Sequence, residues 1–237
     1  MKYYYDLHVH TALSPCGQTC MKPNEILKVA DINKLDFIAI CDHNSVNQLE
    51  SFNKIRNNYN VVVVPGVEVT VNEGYHVVCL FPNFDKALEF GNILNANLNP
   101  IFHDLSKLGE QILYDEFDQI RGTKTDVSLQ QNTKITIPML RKFADEFGAI
   151  MFLAHIERYD EFIYEKVETV YKNMFDVIEI NARSDYENIM KEHPNLIKYL
   201  IIRDSDAHSL EIINQQKFTL ELENKSIESL FKLLLKK

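Results

Sequence analysis

Cysteine is scarce and scattered in this 237-residue chain: Cys16, Cys20, Cys41 and Cys79 are its four, too few over such a length to form the disulfide framework of a small secreted domain. Positive charge is also short. Lysine and arginine total 25 against 34 aspartates and glutamates, and the net charge of −9 opposes tight, sequence-independent binding to a long polyanion. No apolar run approaches membrane-spanning length, and the opening Met1-Lys2-Tyr3-Tyr4-Tyr5-Asp6 meets polar residues before a signal peptide could form. These absences predict a cytoplasmic protein with no membrane partner. No Gly/Ser linker, internal repeat or low-complexity tract divides the chain, so one domain over residues 1–237 is expected.

What is present is ordinary globular composition, 46% hydrophobic and 25% charged. Short apolar runs rich in β-branched residues alternate with helix-like segments, the rhythm of βα units around a parallel sheet. The expected strands are Tyr4 to His10, Phe37 to Cys41, Val61 to Val64, Val67 to Thr70, His76 to Phe81, Ala149 to Ala154, Val177 to Ile180 and Leu200 to Ile202, mostly apolar on both faces. Helix starts are expected near Lys22-Pro23, Asn44-Ser45, Asp85, Pro138 and Tyr159-Asp160, each with a capping or first-turn residue. The C-terminal segment from Ser226 reads as an amphipathic helix behind a strand-like Phe218 to Leu222. From about Glu110 to Thr133 the rhythm breaks, and an inserted hairpin and loop is expected, either shaping a pocket or simply connecting.

Chemistry concentrates at the predicted strand ends. In Asp6-Leu7-His8-Val9-His10 the two imidazoles stand two residues apart, so a strand presents both on one face. Alone, that pair reads equally as two polar or solvent-facing rings. Ligand-type residues answer it elsewhere: His43 after the second strand, Glu68 in Gly66-Val67-Glu68, His76, His155 after Ala149 to Ala154, and Asp206 with His208 after Leu200 to Ile202. Barrel folds gather such strand ends at one mouth. Only His103 and His193 of the eight histidines fall outside the set, and both are expected to be surface or structural.

Six motifs in this order, His8-x-His10, Asp42-His43-Asn44, Gly66-Val67-Glu68, the His76 strand, Ala154-His155 and Asp206-x-His208, resemble the PHP (polymerase and histidinol phosphatase) phosphoesterases over most of the chain. The resemblance implies an α/β fold, a distorted (β/α)7 barrel, with two or three divalent metal ions. It places His8, His10, Glu68 and Asp206 on a first metal, Glu68 as bridge to a second completed by His76 and His155, and His43 and His208 at a third. The family usually supplies an Asp shortly after the His-x-His pair. Here the chain reads Thr11-Ala12-Leu13-Ser14-Pro15-Cys16-Gly17-Gln18-Thr19-Cys20, leaving the third metal open, with Cys16 or Cys20 either a soft ligand or an unligated thiol. Manganese, iron and zinc all suit the mixed donor set.

Hydrolysis of a phosphoester builds negative charge on oxygen and needs a hydroxide near neutral pH; two metals about 3.5 to 4 Å apart serve both needs, and their charge reconciles an anionic substrate with an acidic protein. His208 or His43, if not ligands, could protonate the leaving alkoxide. Arg158 could grip a phosphate through its forked donors, and Arg183 is a second candidate. Asp42 is read as orienting His43 or capping the next helix. The expected function is hydrolysis of a small phosphorylated metabolite or nucleotide. The alternatives are a phosphodiesterase or 5′ exonuclease on short RNA or single-stranded DNA, a non-catalytic scaffold, and amidohydrolase chemistry, which ranks lower because no bridging carboxylated lysine is evident.

Overall fold

The computed structural model describes every residue except Ser106, Lys236 and Lys237. Its main sheet holds β1 (Lys2–Val9), β2 (Phe37–Ile40), β3 (Val62–Thr70), β4 (His76–Leu80), β7 (Ile150–Leu153), β8 (Val177–Glu179), β9 (Leu200–Ile202) and β10 (Thr219–Glu221). The order across it is β10-β1-β2-β3-β4-β7-β8-β9. The segment after β9 comes back to β1, where a parallel bridge joins Val9 to Ala207 and the His10 amide donates to the Ala207 carbonyl at 2.9 Å. Seven strands thus form the distorted barrel, and β10 pairs antiparallel with the opening of β1 at the opposite end.

Alternation within the strands sorts side chains into two cores. Phe37, Val64, Val78, Leu80, Ile150, Phe152, Val177 and Ile202 pack in one cluster with Leu230, Phe231 and Leu234 of helix α7 (Ile227–Leu234), which is capped by the Ser226 side chain. Ile38, Ile40, Val67, Val69, Val77, Met151, Leu153 and Ile178, from the opposite faces of those strands, form a second cluster with the helices α1 (Pro23–Ile32), α2 (Leu49–Ile55), α3 (Phe84–Ala96) and α4 (Ile137–Phe147). Burial on both faces explains why the strands read as continuous apolar runs.

Three expectations are corrected. The strands expected at Val61 to Val64 and Val67 to Thr70 are one strand, β3, running through Pro65 and Gly66. A Cβ on Gly66 would meet Cys41 Sγ at 2.7 Å and Leu80 Cδ2 at 2.9 Å, so glycine there marks close packing rather than a break. Strand β4 is antiparallel to both β3 and β7, not parallel, because only the short turn Val71 to Tyr75 separates it from β3. No helix starts at Asn44-Ser45. Asn44 is in the left-handed region (φ 47), its side chain accepts from the Thr70 amide and donates to the Leu129 and Gln131 carbonyls, and α2 begins only at Leu49.

The stretch from Glu110 to Thr133 contains a hairpin, β5 (Ile112–Tyr114) with β6 (Ile120–Thr123). It is tied down rather than solvated throughout. The Ile112 amide donates to the Ala12 carbonyl at 2.8 Å, Gln48 brackets Tyr114 with two hydrogen bonds, and Gln111, Ser128 and Leu129 are buried. Helices α5 (Phe162–Glu168) and α6 (Tyr186–Glu192) follow β7 and β8. Among the described residues no helix is long and apolar enough to cross a membrane.

Candidate metal centre

A bulge in β1 aims the two histidines. Asp6 pairs with Ile38 and Val9 with Ile40, so three residues of β1 advance against two of β2. The extra residue reverses the alternation: Tyr5 and Leu7 pack in the cluster that α7 closes, yet beyond the bulge it is Val9 that joins the helix-facing cluster, and His8 and His10 turn inward. The Leu7 amide at the bulge is taken by Asp204 Oδ1 at 2.6 Å.

Glu68, fully buried on β3, lies at the middle of the cluster. Its Oε1 is 3.0 Å from His76 Nδ1, 3.3 Å from His155 Nε2 and 3.5 Å from His8 Nε2. Its Oε2 is 2.8 Å from His43 Nδ1 and 3.3 Å from His10 Nε2. Asp206 Oδ1 adds a second carboxylate, 3.1 Å from His10 Nε2 and 3.6 Å from both His8 Nε2 and His208 Nδ1. The eight residues singled out as ligands therefore stand in one cluster. Among the described residues, three groups have their donor atoms within 4.8 Å of one another: His8, His10 and Glu68; His43, Glu68 and His76; and His10, His43 and His208. His43 thus stands with Glu68 and His76 as well as with His208.

His76 reaches the mouth by a different route from the one expected. It is the first residue of β4, not one at a strand's end, and the reversed direction of β4 brings that start beside the ends of β3 and β7. Asn44, His155 and Asp206 have left-handed backbones (φ 47, 32 and 50), the kind of local strain that collects at functional sites.

The hydrogen bonds fix which ring nitrogens are free. Glu179 Oε2 is 2.8 Å from His8 Nδ1; a carboxylate only accepts, so that nitrogen carries the hydrogen and Nε2 faces the cluster. The Ser14 hydroxyl donates to Asp42 Oδ1 at 2.7 Å and so accepts from His10 Nδ1 at 3.0 Å, again leaving Nε2 inward. The facing Nε2 atoms of His8 and His10 are 3.1 Å apart, two lone pairs that need a cation or proton between them. His43 Nδ1 and Glu68 Oε2 are buried and lack hydrogen-bond geometry despite their 2.8 Å separation. These observations fit divalent cations held by imidazole nitrogen and carboxylate oxygen.

Charge follows the same pattern. Burial opposes a proton on His8, yet Glu179, Glu68 and Asp206 outweigh it and hold the ring well above its ordinary range. His10 is likewise raised, to about 9, as hydrogen bonds to Asp206 and Glu68 overcome its burial. Glu68 stays ionised against its burial because His76, His43 and His8 surround it. Burial, with neighbouring His10, pushes His208 down to about 3, and burial lowers His43. Without metal, the neighbouring carboxylates favour a proton in the gap between His8 and His10, where the first group of donors converges.

Several other residues take places the sequence did not assign. Asp42 neither orients His43 directly nor caps a helix; it accepts from the Thr11 amide, Thr11 Oγ1 and Ser14 Oγ and so fixes the loop behind His10. Glu179 is a buried partner that sequence reasoning missed, although a lone acid in Val177-Ile178-Glu179-Ile180 was a signal. Arg158 Nη1 reaches Asp206 Oδ2 at 2.6 Å, whereas Arg183 is exposed and lines a separate cavity with Asn214 and Lys217. Cys16, which is exposed, and Cys20 join none of the donor groups among the described residues. His103 is buried, not on the surface, and bonds the Gly109 carbonyl at 2.7 Å; His193 stacks on Tyr164 with ring centroids 3.5 Å apart.

Comparison with known proteins agrees with this fold. An uncharacterized protein of Methanocaldococcus jannaschii is 34% identical over 88 residues, covering 34% of this chain and 51% of that protein. A 5′-3′ exoribonuclease of Haemophilus influenzae is 29% identical over 85 residues, covering 35% of this chain and 29% of that enzyme. The matches thus span about half of one curated relative and under a third of the other. The lesion-specific endonuclease Q of Pyrococcus furiosus shares the fold at a TM-score of 0.69 and 16% identity, covering 99% of this chain and 56% of that one. The PHP domain model matches residues 6–225, a span that includes nearly the whole barrel, and the chain belongs to the PHP domain family.

Proposed function

We propose that this protein is a metal-dependent phosphoesterase that hydrolyses a small phosphorylated metabolite or nucleotide, a phosphomonoester. The observation that carries this reading is Glu68, a buried carboxylate whose two oxygens face five imidazoles, His76, His155, His8, His43 and His10. In this reading His8, His10, Glu68 and Asp206 hold one cation, and Glu68 bridges to another held with His76 and His155. His43 and His208 complete a third position; their low proton affinity supports a ligand role over that of general acid. When bound, such cations supply Lewis-acid polarisation of the phosphoryl group and acidify the attacking water.

The chain's own residues do the rest. Glu179 and Ser14 turn the Nε2 atoms of His8 and His10 inward, and burial of the acidic residues keeps water from screening the charges they present. Arg158, half-exposed at the rim, offers planar donors to a phosphate. Protein stripped of metal and reloaded with manganese, iron or zinc is expected to release phosphate from a panel of phosphomonoesters, and His8→Ala to abolish that release; stoichiometric metal binding without release by any reloaded form overturns the proposal.

A second reading, phosphodiesterase or 5′ exonuclease activity on short RNA or single-stranded DNA, is favoured by the match to the exoribonuclease. Preference for bis(p-nitrophenyl) phosphate over p-nitrophenyl phosphate would select it.

A further inference from the structure

We propose that Glu179 is the positioning carboxylate of this centre: it binds no metal, and with its two oxygens it fixes the tautomer of His8 and the backbone of His155. Oε2 accepts from His8 Nδ1 at 2.8 Å, and Oε1 accepts from the His155 amide at 3.1 Å. Glu179 is fully buried and stands on the far side of His8 from the convergent donor atoms, outside every donor group among the described residues.

Two features make the carboxylate necessary. Both neighbours are donors, so the side chain must offer two acceptors, which glutamate does and glutamine does not. The second donor belongs to a residue with φ 32 and ψ 59, a conformation that histidine adopts only at some cost and that the surrounding structure must hold. One side chain on β8 thereby sets the ring of a ligand on β1 and the backbone of a ligand after β7. It couples His8 of the first donor group to His155, which faces Glu68 from the other side, before any cation arrives.

Glutamine at this position turns its amide N–H toward one of the two donors. If it faces His8, that ring relieves the clash by losing the hydrogen at Nδ1 while one at Nε2 remains, which blocks the atom aimed at the cluster. If it faces His155, the backbone amide loses its acceptor and the left-handed turn is released.

The inference rests on the metal-centre reading, and its test separates the two. Long-range proton–nitrogen correlation spectra of metal-free protein report the His8 tautomer directly, and chelator competition with zinc reports affinity. In Glu179→Gln the hydrogen at His8 Nδ1 is expected to be lost while one at Nε2 remains, or the His155 amide resonance to shift with His8 unchanged. In either case zinc affinity falls about 10- to 100-fold, with the circular dichroism of the metal-free protein retained. A variant that keeps both resonances and binds zinc within about twofold of the parent overturns the proposal.

Should Glu179→Gln not fold, Glu179→Asp decides: it keeps the charge but is one methylene too short to reach both donors, so roughly tenfold weaker zinc binding supports the proposal and unchanged binding overturns it. A parent protein that binds no cation refutes the metal centre, while the spectra of metal-free protein still decide the role of Glu179.

Discussion

Arg158 Nη1 lies 2.6 Å from Asp206 Oδ2, so the only oxygen of Asp206 not facing His8, His10 and His208 is held by a guanidinium at the rim. Arg158 sits in the short turn Ile156–Arg158 directly after His155, and its charge lies beside the donors without being one of them. Arg158→Ala is expected to raise KM for a phosphomonoester about tenfold with metal content unchanged, since it removes a phosphate grip and not a ligand. Arg158→Lys is expected to restore only part of that loss, because an ammonium lacks the planar fork. Steady-state kinetics with metal analysis of both variants checks this; a collapse of metal content in either would move Arg158 into the metal-binding role.

Glu68→Gln removes the charge that faces five imidazoles. Metal content and phosphate release are expected to disappear together, measured by elemental analysis and by the reloading assay. Full metal content with a normal rate would refute the bridging role.

Metal affinity is expected to rise with pH. His10 holds its proton up to about pH 9 in the metal-free protein, and a cation at Nε2 must displace that proton. Below that pKa binding therefore releases at least one proton, and the apparent Kd for zinc is expected to tighten by about tenfold or more per pH unit from pH 7 toward 9. The sign follows from the raised pKa: the lower the pH, the more often the site is closed by a proton. Calorimetric titrations in buffers of different ionisation enthalpy count the protons released.

Gly17 turns the loop behind His10. A Cβ there would meet the Thr11 carbonyl oxygen at 2.3 Å, a backbone atom that the Asp42 hydrogen bonds to Thr11 hold in place. Gly17→Ala is expected to cost about 1–3 kcal/mol of stability, read as a lower Tm, and to weaken metal binding as Ser14 shifts from His10.

Much of the fold and the site was legible along the chain. Continuous apolar runs marked the buried strands, Pro23 and Ser226 marked helix starts, and imidazoles and carboxylates beside the runs marked the clustered donors. Each of these signals is local: a period, a cap, a residue type beside a strand.

What stayed hidden depended on partners far apart in sequence. The side to which His8 and His10 turn was decided by a bulge against β2, which alternation alone does not record. His76 arrives at the mouth because β4 runs backwards, a matter of strand pairing. Glu179 reads as a stray acid until β8 brings it to His8, 171 residues away, and Asp42 acquires its loop only when Ser14 folds onto it. Sequence by itself determined which donors exist and that most of them stand beside the ends of apolar runs. Only the tertiary structure decided which atoms face one another, because tautomer, strand direction and bulge are set by contacts across the barrel rather than along the chain.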